Sequence, residues 1–245
     1  MRLWAQAATG GLVIEGHLIK APDMVWNTKT TFGSVSKLLH WFGALLIFAM
    51  IALGIWAVQY PLETPEQMAA KWELFALHKT VGVCAFGLSV LRLISMVFQT
   101  KPLPLKYHGA REVFGARTVH WLLTFLMILV PLAGWVRHAS LPGFAPLYLP
   151  FGDSLPFIPA DQNLSEIASM THFGFIILLL SAVALHVAGA LKHHLIDRDN
   201  TLKRMLPGQG TAQVQAAPTA LPALLVAIAL IIGVAAIAIL ATPQV

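Results

Sequence analysis

The sequence predicts an all-α membrane protein: a four-helix transmembrane bundle followed by a fifth, C-terminal transmembrane helix. Three observations predict it. First, 57% of the 245 residues are hydrophobic and only 11% are charged, against about 25% charged in an ordinary soluble domain. Second, five stretches reach the roughly 20 mostly apolar residues that a hydrocarbon core requires. Third, the basic residues gather in alternate connections between those stretches. The composition excludes a disordered chain, an average soluble enzyme and a disulfide scaffold. Cys84 is the single cysteine, so neither an internal disulfide nor a C-x-x-C-H attachment motif is available.

Taken in order, the elements begin with residues 1–30. Arg2 followed by a weakly apolar stretch is a poor signal peptide, because Gly10, Gly11 and Glu15 interrupt it. The segment reads instead as a cytoplasmic extension. Spans are expected over about 37–58, 72–98, 118–136, 170–191 and 221–241, the last being the most apolar and free of ionisable residues. Pro102 and Pro104 end the second span in a turn. A long loop with five prolines is expected over 139–168. A polar, flexible linker is expected over 208–219, leaving 31–207 as the four-helix domain and 220–245 as the fifth helix.

Charge orients the spans. Arg2, Lys20, Lys29 and Lys37 precede the first. Lys101, Lys106, Arg111 and Arg117 lie between the second and third, and Lys192, Arg198, Lys203 and Arg204 follow the fourth. The two remaining connections hold only Lys71 and Arg137, beside five acidic residues. Basic loops favour the cytoplasm, so the N-terminus is expected to be cytoplasmic and the C-terminus periplasmic, in the cytoplasmic (inner) membrane. This placement accounts for the net charge of +5 and leaves no case for a nucleic-acid partner.

Five of the ten histidines lie in or at the edges of spans: His40, His78, His120, His172 and His186. Intramembrane ionisable groups are costly and usually functional. His172 and His186 are fourteen residues apart, an advance of roughly 21 Å that returns to within about 40° of the same helix face. One face therefore presents two imidazoles at two depths, as two stacked metallo-cofactors in a bundle would require. Depth pairs His78 with His172 on the outer side. On the inner side, His186 pairs with His40 or His120. Bis-histidine ligation in an apolar bundle suits b-type haem. A closed zinc site would need four ligands together. Gly43, Gly82, Gly174 and Gly189 either admit a flat macrocycle or serve close helix packing. Arg92 falls on the His78 face at the inner depth and either meets a haem propionate or snorkels to the interface. Lys79 has the same two readings at the outer side, with a third role of presenting positive charge to an outer substrate.

Four stretches carry a resemblance: S-K-L-L-H40-W, L-H78-K-T-V-G, H120-W-L-L and L-H186-V-A-G-A-L-K-H193-H194-L-I-D-R-D-N-T-L-K-R-M-L-P. Over about 31–207 the chain resembles the bacterial four-helix cytochrome b-561 family. The resemblance implies a di-haem b membrane cytochrome that exchanges electrons with quinone. It implies His78 with His172 at the outer haem, and it prefers His40 over His120 as the partner of His186. It also places His193 on the quinone side, where it would hold a proton for reduced quinone. The alternative is that His193 belongs to a solvated basic cluster with Lys192 and His194.

The first expectation is an oxidoreductase that passes electrons from an outer donor, with superoxide a candidate, to quinone. The alternative is an electron-transfer anchor for a periplasmic dehydrogenase or a fused domain, without its own substrate site. A third reading, a transporter using the histidines as proton relays, predicts colourless protein.

Overall fold

The computed structural model describes residues 13–14, 17–18, 24–105, 108–141, 145–150, 155, 157–208, 213–216 and 218–242. Most of the expected N-terminal extension lies outside them. A two-residue antiparallel ladder pairs β1 (Val13–Ile14) with β2 (His17–Leu18). Otherwise the regular structure is helical: α1 (Ser34–Gln59), α2 (Pro65–Phe98), α3 (Ala110–Ser140), α4 (Gln162–Leu195) and α5 (Leu221–Ala241). All five are long and apolar enough to cross a membrane.

Helices α2, α3 and α4 run several residues beyond the apolar spans, and polar residues cap α2 and α4. Thr64 accepts a hydrogen bond from Gln67 N while the Gln67 side chain returns to the Thr64 backbone, and Pro65 occupies the first turn. Asp161 accepts from Leu164 N at 2.7 Å to start α4. The expected 139–168 loop accordingly shrinks to 141–161.

The helices pack in sequence order, α1 on α2, α2 on α3 and α3 on α4, with α5 laid against α3 and α4. Neither α1 nor α2 packs extensively on α4. The buried apolar core is correspondingly off-centre. It consists of Leu122 and Leu126 from α3, Phe175, Leu179 and Ala182 from α4, and Ala227 from α5. Much of the remaining apolar surface, including Phe42, Leu45, Phe48, Val97 and Leu240, is exposed, as lipid-facing side chains are.

At the basic end of the bundle, where α1 starts and α4 stops, the connections interlock. A 3-10 turn at Lys203–Met205 buries Arg204, which donates to Leu103 O at 3.1 Å and lies over the Phe32 ring. Trp41 Nε1 donates to Met205 O at 2.8 Å. The expected flexible linker is pinned where it is described. Val214 bridges Leu105, Gln215 Nε2 donates to His108 O at 2.7 Å, and Arg117 donates to Pro218 O.

Candidate functional site

The space between α4 and the α1–α2 pair is spanned by histidines. Near the basic end, the His40 ring of α1 faces His186 of α4 with centroids 6.0 Å apart and planes at 65°. The His120 ring of α3 meets the same His186 edge-on at 5.1 Å. Deeper toward the opposite end, His78 of α2 lies against Gly54 of α1, and His172 of α4 lies against Gly134 of α3. The inner pair expected from depth meets in space, and His120 joins it.

Two features of these deeper histidines bear on which ring nitrogens are available. His172 Nδ1 lies 2.8 Å from Val130 O. A carbonyl only accepts, so Nδ1 carries the proton and Nε2 keeps its lone pair free for ligation. Val130 precedes Pro131 inside α3, where the missing N–H and the ring loosen the local ladder. His78 Nδ1 is buried with no hydrogen-bond partner, an orphan that a ligand must answer.

The glycines that make room for these rings differ from those expected. A Cβ on Gly54 would stand 3.0 Å from His78 Cε1, and one on Gly134 would stand 3.1 Å from His172 Cε1. Of the glycines expected from sequence, Gly174 would strike Val234 of α5 at 2.7 Å, so it serves helix packing. Gly43 and Gly82 would make ordinary contacts with Met127 and Met50, and Gly189 faces open space.

Arg92 reaches inward, with Nη2 3.5 Å from His40 Nδ1 and Nη1 3.8 Å from Met127 Sδ. It forms no ion pair with a carboxylate among the described residues. Guanidinium only donates, so this contact uses Nδ1 of His40 as an acceptor. Ligation through Nε2 would need that nitrogen protonated, which leaves Arg92 to seek an anion.

At the opposite end, Lys79 Nζ lies 3.2 Å from His138 Nδ1 and donates to Ala145 O at 2.9 Å. Lys71 donates to Val58 O and Tyr60 O, closing the C-terminus of α1. Arg137 is exposed there.

His193 sits in a cluster that sequence reasoning did not assemble. The ring stacks on His108 at 4.5 Å. Its Nδ1 lies 2.9 Å from carboxylate oxygens of both Asp197 and Asp199, and its Nε2 lies 3.7 Å from Glu112. The expected solvated cluster with His194 is a different arrangement, since His193 is buried while Lys192 and His194 are exposed. Lys192 bridges Glu112 at 2.6 Å and Asp197 at 2.5 Å. That hydrogen bond holds the Asp197 carboxyl below its usual range. Burial opposes ionisation of Asp199, but hydrogen bonds from His108 and Thr201 outweigh it and bring the carboxyl down to about 2. The D-R-D run after His194 was the available signal. His108, a connection residue, gave none.

Five helices long and apolar enough to cross a membrane, with imidazoles facing one another between them, define a multi-pass membrane protein, and the comparisons with known proteins place it among electron-transfer proteins. Residues 31–208 match the family model described as prokaryotic cytochrome b561. The chain is 29% identical over 187 residues to cytochrome b561 homolog 2 of Escherichia coli (strain K12), covering 74% of this chain and 93% of that protein. It is 25% identical over 179 residues to cytochrome b561 homolog 1 of the same organism, covering 72% and 97%. It is 29% identical over 140 residues to the probable superoxide oxidase CybB of Yersinia pestis, covering 54% and 73%. The chain belongs to the prokaryotic cytochrome b561 family, and b-type haem is the cofactor that membership implies. The match ends before α5.

Proposed function

We propose that the protein holds two b haems and passes electrons between a donor at the periplasmic face and the membrane quinone pool. The observation that carries the reading is that His40 of α1 and His186 of α4 face each other at 6.0 Å between helices that do not otherwise pack extensively. His78 and His172 would hold one haem, and His40 and His186 the other. Two imidazoles that would hold one haem between them need a wider separation than two that pack directly on each other. The 6.0 Å between His40 and His186 suits that need better than the 5.1 Å between His120 and His186. His120 and His186 also come from helices that already pack together.

When bound, the haems would supply one-electron chemistry. The chain does the rest. Val130 O orients His172, Gly54 and Gly134 clear space beside the rings, and Arg92 offers charge to a propionate. The apolar faces exclude water. His193, buried among carboxylates at the basic end, is placed to hold a proton for quinone. With the basic end cytoplasmic, quinone is handled on the inner side and the donor on the outer side.

Superoxide is the candidate donor. The second reading, an anchor for a separate dehydrogenase or a fused domain, is favoured by one observation: Lys71 and Lys79 are engaged with backbone carbonyls rather than presented to an anion. Purified protein that oxidises superoxide with quinone as acceptor supports the first reading, and inactive but haem-loaded protein supports the second.

The reduced-minus-oxidised visible spectrum, with a haem-to-protein ratio, tests the cofactor assignment. A b-type spectrum at two haems per chain is expected. One haem would remove one pair, and colourless protein would overturn both. His40→Ala is expected to lose one haem, and His120→Ala to retain both.

A further inference from the structure

We propose that His108, His193 and Asp199 form a binding site for one divalent transition-metal ion of zinc type, distinct from the haem-facing histidines. The three residues come from the α2–α3 connection, the last turn of α4 and the segment that follows it. Their donor atoms lie within 4.8 Å of one another. Asp199 Oδ2 stands 2.9 Å from His108 Nε2 and 2.9 Å from His193 Nδ1. Two imidazole nitrogens and a carboxylate oxygen are a zinc-type donor set, with a fourth position left for water. Magnesium and calcium prefer oxygen ligands.

A second observation points to a ligand. His193 is only 8% exposed, and its Nδ1 makes no aligned hydrogen bond although two carboxylates lie beside it. A buried imidazole nitrogen beside anionic oxygens without a hydrogen bond to either is an arrangement a cation would complete. Charge agrees. Glu112, Asp197 and Asp199 bring three carboxylates, and among the described residues the one lysine in contact, Lys192, answers Glu112 and Asp197. Asp199 has no lysine or arginine at ion-pair distance among the described residues.

The backbone is shaped for it. Asp199 N bonds His193 O at 3.0 Å. Arg198 takes the left-handed φ of 53°, which carries Asp197 and Asp199 back under the His193 ring. Asp199 also lines an open depression of about 350 Å³ with His194, Leu195, Arg198 and Lys203, giving an ion a route in.

The test is equilibrium dialysis of the haem-loaded full chain against zinc sulfate, with elemental analysis. One tightly held zinc per chain is expected. His108→Gln and Asp199→Asn should each weaken it by at least about tenfold at an unchanged haem-to-protein ratio. Equal zinc affinity in the wild type and both variants would overturn the site. Zinc-edge X-ray absorption on the wild type needs no variant. Two imidazoles with oxygen at about 2.0–2.1 Å are expected, and fewer than two imidazoles would overturn it.

A regulatory consequence rests on the quinone reading, whereas the binding does not. Zinc on His193 Nδ1 would take one of the two ring nitrogens able to exchange a proton and slow quinone reduction. Zinc bound with quinone turnover slowed supports both. Zinc bound with turnover unchanged keeps the metal site and removes His193 from the quinone path. Zinc unbound overturns the metal site and leaves the quinone reading standing.

Discussion

At Gly54 and Gly134 a single methyl group would press on an imidazole ring, His78 in one case and His172 in the other. Crowding of this kind costs about 1–3 kcal/mol in a packed site. Gly54→Ala and Gly134→Ala are therefore expected to weaken retention of the haem proposed at the His78–His172 pair roughly tenfold, read as a haem-to-protein ratio falling toward one. Gly87→Ala, with nothing within 4 Å of its added carbon, should leave the ratio unchanged. The histidines were legible in the sequence because two of them share one helix, where spacing alone fixes the face. The glycines were not, because which glycine meets a ring depends on where a neighbouring helix crosses. Gly54 lies on α1 and Gly134 on α3, yet they serve histidines of α2 and α4. Similarly, nothing in the sequence marks Val130 as the carbonyl that fixes His172, because any backbone could have supplied it.

Helix α4 carries two jobs on one side. His172 and His186 look into the histidine-lined space, and Phe175, Leu179 and Ala182, which helix periodicity places within about 80° of them, pack into the core shared with α3 and α5. Gly174 lies roughly 160° around the helix from His172, on the side turned to α5, where its added carbon would stand 2.7 Å from Val234 Cγ1. Gly174→Ala is expected to lower thermal stability by about 1–3 kcal/mol, measured as Tm in detergent, while the visible spectrum stays as it was. That outcome would separate helix packing from cofactor contact in a helix that does both. Helix existence was legible from hydropathy, and the extra turns followed from caps at Thr64 and Asp161 that hydropathy does not weigh. The pinning of residues 213–218 to the α2–α3 connection was not legible. It depends on pairings between Val214 and Leu105 and between Gln215 and His108, far apart in sequence.

Across the whole molecule, the histidines and the fifth helix occupy different parts of the bundle. The histidine-lined space opens between α4 and the α1–α2 pair, whereas α5 closes the outer side of α3 and α4. Truncation after Gly208 is therefore expected to lower Tm yet keep the full haem-to-protein ratio. Loss of haem would show that α5 supports the site. The basic-end charge makes a further prediction. A periplasm-active reporter fused to the C-terminus should be active, and one fused after Lys101 inactive. The placement of α5 also bears on how the molecule is made. Synthesis runs from the N-terminus and early parts fold first, so His186, the last of the intramembrane histidines, is in the nascent chain before any residue of α5 has been added. Cofactor capture can precede docking of the last helix, and the two events are separable steps in the biogenesis of the chain.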